Sequence, residues 1–445
     1  MTTAVPPMPT EEIERVFLLQ QGHRWVQRQT TADQRAHLLQ GLAASIEKHA
    51  DRLQEGLHAD LRRAMDDRGE IRGCLDEIGD AIANLGDWMA ETPVEPSLGE
   101  AAAGAKIVYE SRGVVLLFGA WNFPLTLLFR PLAQILAAGN CAIIRTNELT
   151  PRTSAVIADV IRDAFSEEVV AVFEGGVELA DQLLELPVDH IFFTGSAAVG
   201  RRVMAAAATH LATVTLELGG KNPVIVDKNA DIADAAGKIA FMRNINSGQV
   251  CLCPENVFVH EESLDRFLAV AKATYEASFY VDGELNQDAQ GKIVNGPNFA
   301  RVKGYLDDAI SKGARVAVGG GVREETLGVE PTVLVDVPGD AAILHEEVFG
   351  PILSVFTYSD VAQVYSTLHA QPKPLAMYIF SSDDAFIDDV LANTTSGGVT
   401  VNSCMMHFAE KNLPFGGVNQ SGIGAYRGIH GFRELSHARS VLYMA

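Results

Sequence analysis

Apolar residues recur at three- and four-residue spacing through the first hundred positions. Ile13, Val16 and Phe17 open one stripe, Leu38, Leu42, Ile46, Leu53 and Leu57 form a second, and Ile71, Leu75, Ile78, Ile82, Leu85 and Trp88 a third. Spacing of this kind gathers the apolar side chains on one face of a helix, so three amphipathic helices are predicted. Thr31 followed by Gln34 predicts a capping box at the start of the second. Pro and Gly in ETPVEPSLGEAAAGA (91–105) end the pattern.

Beyond residue 113 the pattern changes to short β-branched runs with amphipathic stretches between them. GVVLLFG (113–119), CAIIR (141–145), VVAVFEGG (169–176), HIFFTG (190–195) and TVTLEL (213–218) read as buried strands. A second series starts at PVIVD (223–227) and continues through NVFVH, ARVAVGG, PTVLVDV, ILSVFTY, LAMYIF and GVTVN, ending at 402. Alternation of strand and helix implies parallel sheets covered on both faces. The fold class is therefore α/β, with two layers in series that meet near 218–223. Residues 413–445 are glycine-rich, then read as helical, and fit neither series.

The 445 residues exceed one ordinary hydrophobic core, so two or three domains are expected. A net charge of -22 and a pI near 4.9 argue against nucleic acid and anionic membrane surfaces as partners. The N-terminal MTTAVPPMPTEEIERV lacks the basic and apolar regions of a secretory signal. The longest apolar run, at 114–129, contains Asn122 and Pro124 and is shorter than the roughly 18 to 20 residues of a membrane span. Five widely spaced cysteines do not make a disulfide framework. A cytoplasmic protein is expected.

The chemistry gathers in a few motifs. AWNFP (120–124) follows a strand, ELGGKNP (217–223) lies at the boundary between the layers, and NSGQVCLCPE (246–255) lies beyond it. Cys251 follows Glu217 by 251 − 217 = 34 residues. Taken singly, Cys251 reads equally as a small buried side chain, Asn122 as a turn residue before proline, and Glu217 as a strand-end carboxylate. FTGSAAVG (193–200) places Gly195, Ser196 and Gly200 around a helix start, where free N–H groups attract phosphate. GIGAYRG (422–428) looks like a dinucleotide loop but has no strand expected before it, and is set aside.

In their joint order and spacing, these motifs resemble the NAD(P)-dependent aldehyde dehydrogenase superfamily over nearly the whole chain. NELTP (147–151) and EEVFGP (346–351) add to the resemblance. It implies a Rossmann-like cofactor-binding domain (1–96 and 114–218), an α/β catalytic domain (219–412) and a small β oligomerisation or bridging element (97–113 and 413–445). It implies Cys251 as nucleophile, Asn122 with the Cys251 backbone N–H as oxyanion hole, and Glu217 as base for thioester hydrolysis. It further implies cofactor contacts from Trp121, Arg145, Glu148, Gly195, Ser196, Gly200, Leu218, Glu347 and Phe349, and no metal. The chemistry suits these residues: cysteine is partly ionised near neutral pH and strongly nucleophilic, and an amide is a neutral donor to the oxyanion. Gly219 and Gly220 are expected to let the backbone turn tightly beside Glu217.

The chain departs from the family pattern in places. Arg145-Thr146-Asn147-Glu148 stands where the family has Lys-Pro-Ser/Ala-Glu. Glu148 favours the free 2′-hydroxyl of NAD, whereas the planar fork of Arg145 suits the 2′-phosphate of NADP, so NAD is expected with NADP as the alternative. Ala120 replaces the family's proline. Cys253, two after the nucleophile, reads as a small packed residue, with reversible oxidation to a Cys251–Cys253 link as a second reading. The likeness is greatest to the class 3 and coniferyl aldehyde dehydrogenase branch. That branch implies aromatic or medium-to-long aliphatic aldehydes as substrates, with Leu125, Thr126 and Phe129 as pocket candidates. It also implies a homodimer joined through 97–113 and 440–445. The rival readings are an acylating dehydrogenase that uses coenzyme A or phosphate, a cysteine hydrolase, for which no histidine motif accompanies Cys251, and a noncatalytic protein on the same fold.

Overall fold

The computed structural model describes residues 9–445; residues 1–8, the start of the expected first domain and of the stretch read for a signal, lie outside the described residues. The expected helical face near the N-terminus forms, but in more pieces than the periodicity predicts. The stripe from Leu38 to Leu57 belongs to two helices, Ala32–Lys48 and Ala50–Leu61, separated at His49 (φ -98°, ψ 7°). The break leaves the face continuous, because Leu42, Ile46, Leu53 and Leu57 are all 1% exposed or less. The capping box is present: Gln34 N donates to Thr31 Oγ1 at 3.3 Å and Thr31 N to Gln34 Oε1 at 2.9 Å.

Two large sheets follow. The first runs, in spatial order, Gly422–Ile423, Thr213–Glu217, His190–Thr194, Val114–Phe118, Cys141–Arg145, Val170–Phe173. All its pairs are parallel except that of Gly422–Ile423 with Thr213–Glu217. The second has seven strands, parallel except for the edge strand Arg315–Val318. Every residue of Val114–Phe118 and of Cys141–Arg145 is buried, which is why these strands read as unbroken apolar runs rather than alternations. One hydrophobic core joins the two sheets, since Val115 and Leu117 of the first cluster with Val224, Val226 and Val257 of the second.

A third sheet pairs Thr92–Val94, Ala102–Ser111 and Ser436–Met444, all antiparallel. It begins before residue 97, and it corrects the helical reading of the C-terminus: only Gly428–Glu434 is helical, and a nine-residue strand follows it. The stretch set aside at 422–428 contributes an edge strand to the first sheet, where Gly422 and Ile423 pair with Glu217 and Leu216. Neither strand has an apolar alternation to announce it, and each finds its partner far away in sequence. No described helix is long and apolar enough to cross a membrane.

Candidate active site

Parallel α/β sheets leave a crevice at the carboxyl ends of their strands. Here Phe118 leads to Asn122, Arg145 to Glu148, Thr194 to Ser196, and Thr213–Glu217 ends on Glu217 itself. A cleft of about 990 Å³ opens there. Its lining includes every residue the resemblance implies for catalysis or cofactor binding except Gly200: Asn122, Glu217 and Cys251, with Trp121, Arg145, Glu148, Gly195, Ser196, Leu218, Glu347 and Phe349.

At the reactive end, the loop before Cys251 is bent through three consecutive left-handed residues, Asn246 (φ 53°), Ser247 (φ 55°) and Gly248 (φ 71°). Such backbone is costly for residues with a Cβ and persists only where its surroundings enforce it. Gly248 has no alternative, because a Cβ there would strike the Gly350 carbonyl. Gln249 locks the bend: its Nε2 donates to Asn246 O and Lys292 O, both at 2.9 Å, and its Oε1 accepts from Val294 N at 2.9 Å. Beyond it, Asn222 Nδ2 donates to Cys251 O at 2.7 Å and Cys253 O at 3.0 Å. Cys251 faces the cleft, whereas Cys253 is 2% exposed with its Sγ turned to the Met242 and Arg243 carbonyls at 3.6 and 3.7 Å.

Asn122 is 5% exposed, and its Nδ2 donates to Gln249 O at 3.2 Å, tying it to the Cys251 loop. Its backbone carbonyl accepts from Asn246 Nδ2 at 3.0 Å and Arg63 Nη2 at 2.8 Å. Arg63 also pairs with buried Glu70 at 3.1 Å and covers the Phe123 ring at 4.3 Å. Glu70 in turn accepts the Leu125 and Thr126 N–H groups at 3.2 and 3.1 Å, a carboxylate at the start of helix Thr126–Ala137. Arg63, Glu70, Asn246 and Asn222 all position the site. Asn222 and Asn246 lie inside motifs singled out from the sequence, but nothing in the sequence marks Arg63 or Glu70. The pocket candidates are corrected: Leu125 and Phe129 are wholly buried in the core, Thr126 is buried too and none of the three lines the cleft, and the half-buried aromatic beside Asn122 is Phe123.

Along the cleft, Trp121 and Phe349 meet edge to face at 5.5 Å. Lys221 positions the loop that carries Glu347 and Phe349, donating to Glu255 at 3.0 Å, Ile343 O at 2.7 Å and Glu346 O at 3.1 Å. The paired glycines act through space rather than through turning. Neither has positive φ, and a Cβ on Gly219 would sit on the Glu347 carboxylate. Ser196 caps helix Ala197–His210, its Oγ accepting from Val199 N at 3.4 Å. Gly200 lies off the cleft wall, because a Cβ there would strike Leu218; glycine lets the helix pack onto that side chain. The Arg145 guanidinium is buried and paired with Glu148, and its Nε has no partner.

These residues fit a dinucleotide. A capped helix N-terminus faces the cleft for a pyrophosphate, Glu148 and Glu347 offer carboxylates for ribose hydroxyls, and Val177, Ala180 and Leu184 form an apolar wall. Among the described residues no cluster of three or more His, Cys, Asp or Glu could hold a metal ion.

Burial dominates the electrostatics of the cleft. It pushes the Cys251 thiol up, with the nearby Glu347 and Glu217 adding to the effect. Glu217 is raised well above the usual carboxylate range by burial and then by Glu434. Glu347 is pushed up to about 8 by burial and then by Glu255, offset in part by the Gly220 N–H. In the unfolded chain Glu347 ionises near 4.5, so from there to about 8 the folded protein retains a proton that the unfolded chain releases. Folding stability from this group is full below 4.5 and is lost as pH rises toward 8. Glu347→Gln is therefore expected to gain stability over the wild type as pH is raised across that interval, by about a few kcal/mol, read from denaturant midpoints.

Comparison with known proteins gives the geometry a family. Residues 10–441 match the Aldehyde dehydrogenase family. The Bacillus subtilis protein AldX is 44% identical over 438 residues, 98% of each chain. The coniferyl aldehyde dehydrogenase of a Pseudomonas species is 41% identical over 382 residues, 84% of this chain and 78% of that one. Among solved structures, Staphylococcus aureus AldH in a substrate-bound state superposes with a TM-score of 0.92 at 35% identity, covering 97% of this chain and 94% of that one. The chain belongs to the aldehyde dehydrogenase family, enzymes that oxidise aldehydes with NAD(P).

Proposed function

We propose that this enzyme oxidises hydrophobic aldehydes, aromatic or medium-to-long aliphatic, to carboxylic acids through a covalent intermediate on Cys251. The observation that carries the proposal is that Cys251, Asn122 and Glu217 line one cleft, with both Glu217 carboxylate oxygens buried and unpartnered. The thiolate of Cys251 attacks the aldehyde carbon, forming a C–S bond and placing the electron pair on oxygen. The Asn122 amide, with one N–H committed to Gln249 O, turns its other N–H and the Cys251 backbone N–H toward that oxyanion. NAD(P), held by Trp121, Leu218 and Phe349, would accept the hydride that leaves that carbon as the carbonyl re-forms, which leaves a thioester on Cys251. Glu217 then takes a proton from water as the water oxygen attacks the thioester carbon; the C–S bond breaks and Cys251 leaves as thiolate. Neither step needs a metal or a second acyl acceptor.

Two observations bear on cofactor and substrate. The buried Arg145 is already neutralised by Glu148, which supports a free ribose hydroxyl and NAD as the preferred partner. Phe123 beside Asn122, together with the coniferyl aldehyde dehydrogenase relative, supports an apolar, aromatic substrate. A homodimer joined through the three-stranded sheet is part of the same reading: its strand Ser436–Met444 leaves Leu442, Tyr443 and Met444 at least half exposed.

The test is initial-rate NADH and NADPH formation with aromatic and straight-chain aldehydes, without coenzyme A or phosphate. Turnover with NAD greatest on benzaldehyde- or cinnamaldehyde-type substrates is expected; turnover only after coenzyme A is added would establish the acylating alternative. Asn122→Ala is expected to lower kcat/KM by about 10²–10³, the usual consequence of losing one oxyanion donor, in the same assay.

A further inference from the structure

Of three guanidiniums near the Asn122 loop, two are neutralised. Arg63 pairs with buried Glu70 at 3.1 Å, and Arg427 with buried Glu77 at 2.8 Å. Arg130, on helix Thr126–Ala137, makes no ion pair among the described residues, although it is half-buried and its Nε is enclosed without a hydrogen-bond partner. The buried carboxylates nearby are committed: Glu70 also holds the Leu125 and Thr126 N–H groups, and Glu77 accepts from Gln134 Nε2 at 2.9 Å. The Cys74 thiol beside Arg130 does not neutralise it either, because burial pushes that thiol up to about 12 against the pull of the cation. A guanidinium withdrawn from water costs stability until an anion joins it.

Two lines of contact lead from the reacting residues to Arg130. Leu127 N donates to Phe123 O at 2.9 Å, so helical turns begin beside Asn122, and Phe123, Leu127 and Arg130 fall on one face. Arg130 is therefore about 10 Å along the helix from Phe123. On the other side, rings lead from the residue after Cys251. Tyr378 Oη donates to Leu252 O at 2.5 Å, Tyr378 meets His407 at 6.3 Å, His407 stacks on Phe415 at 6.0 Å, and Phe415 meets Phe408 edge to face at 4.8 Å. The Arg130 guanidinium lies over that last ring at 5.1 Å. Gly73, on helix Gly69–Trp88, leaves it room, since a Cβ there would strike Arg130 Nη2. Phe123 and Phe408 are only half-buried, so each line keeps apolar surface uncovered.

Resting on the reading that apolar aldehydes are oxidised at Cys251, we infer that the preferred substrates carry a carboxylate at the end remote from the aldehyde and that Arg130 binds it. The apolar body of such a molecule lies against Phe123 and Phe408. The planar fork of a guanidinium donates two parallel N–H bonds to a carboxylate, and an aromatic ring beneath it fixes its orientation. Arg130 thus selects the substrate by its tail and takes no part in bond making. The chain's net charge of -22 disfavours anions in general, so a preference for an acid over its neutral ester is a specific sign of this cation.

The experiment measures initial rates of cofactor reduction with 4-formylcinnamate and with its methyl ester, the same aromatic aldehyde with and without the terminal charge, in the wild type, Arg130→Gln and Arg130→Lys. The wild type is expected to show a KM for the acid about 10-fold or more below that for the ester, in line with a hydrogen bond between charged groups. Arg130→Gln should raise KM for the acid about 10- to 100-fold more than KM for the ester, with the loss in KM rather than kcat, and Arg130→Lys should recover part of it. The wild-type comparison needs no variant, so it decides the matter even where Arg130→Gln does not fold. Equal KM values for acid and ester in the wild type, or a loss in Arg130→Gln shared by the two substrates, would overturn the carboxylate site while leaving oxidation at Cys251. Turnover of neither substrate by the wild type would instead overturn the reading on which the inference rests.

Discussion

Cys251→Ala is expected to lose aldehyde-dependent reduction of NAD(P), by about 10⁴–10⁶ in kcat, as removal of a covalent nucleophile does elsewhere. A carbonyl carbon cannot release hydride until a nucleophile makes it tetrahedral and puts negative charge on oxygen. Alanine forms no such bond, and no other thiol is placed to substitute. The nearest in sequence, Cys253, is buried with its sulfur turned to the end of helix Ile232–Asn244. Cys253→Ala should therefore keep activity, and the pair of variants separates the two cysteines. Stopped-flow absorbance of the reduced cofactor, with circular dichroism to confirm folding, reads both.

Glu217→Gln is expected to form one equivalent of reduced cofactor and then stop. Attack and oxidation do not use the carboxylate, whereas hydrolysis does, so the variant should lose about 10²–10⁴ in steady-state rate, the usual contribution of a positioned base. Glutamine retains the shape and the neutral state that the buried carboxyl already favours, so its folding should be undisturbed. In the wild type the raised Glu217 sets a sign for the pH profile. As pH falls through its elevated pKa the base is lost, so kcat declines on the acid side at a pH well above the ordinary carboxylate value of 4.5.

The strands were largely legible in the sequence because both large sheets are buried on two faces. CAIIR, NVFVH and ILSVFTY coincide with strands Cys141–Arg145, Asn256–His260 and Ile352–Tyr358 to the residue. Ser436–Met444 was not legible, because a half-exposed strand such as SHARSVLYM carries no apolar period and its partner begins at Ala102. The residues that line the cleft were legible only through their motifs taken together. Glu217 and Asn122 alone looked like a strand-end carboxylate and a turn amide. What supports them was not legible as support: Arg63 and Asn246 reach the Asn122 carbonyl across 59 and 124 positions, and Glu70 holds the Leu125 N–H across 55. The reason for Gly219 also had to come from the fold, since the room it leaves is taken by Glu347, more than a hundred residues later.

The most direct measurement is the intact mass and peptide map of Glu217→Gln after mixing with NAD and a saturating aromatic aldehyde. A stable mass increase of one acyl group, located on the peptide that carries Cys251 and absent from Glu217→Gln/Cys251→Ala, is the expected result. Acylation of a different residue, or full steady-state oxidation with no acyl adduct at Cys251, would contradict covalent catalysis at this cysteine.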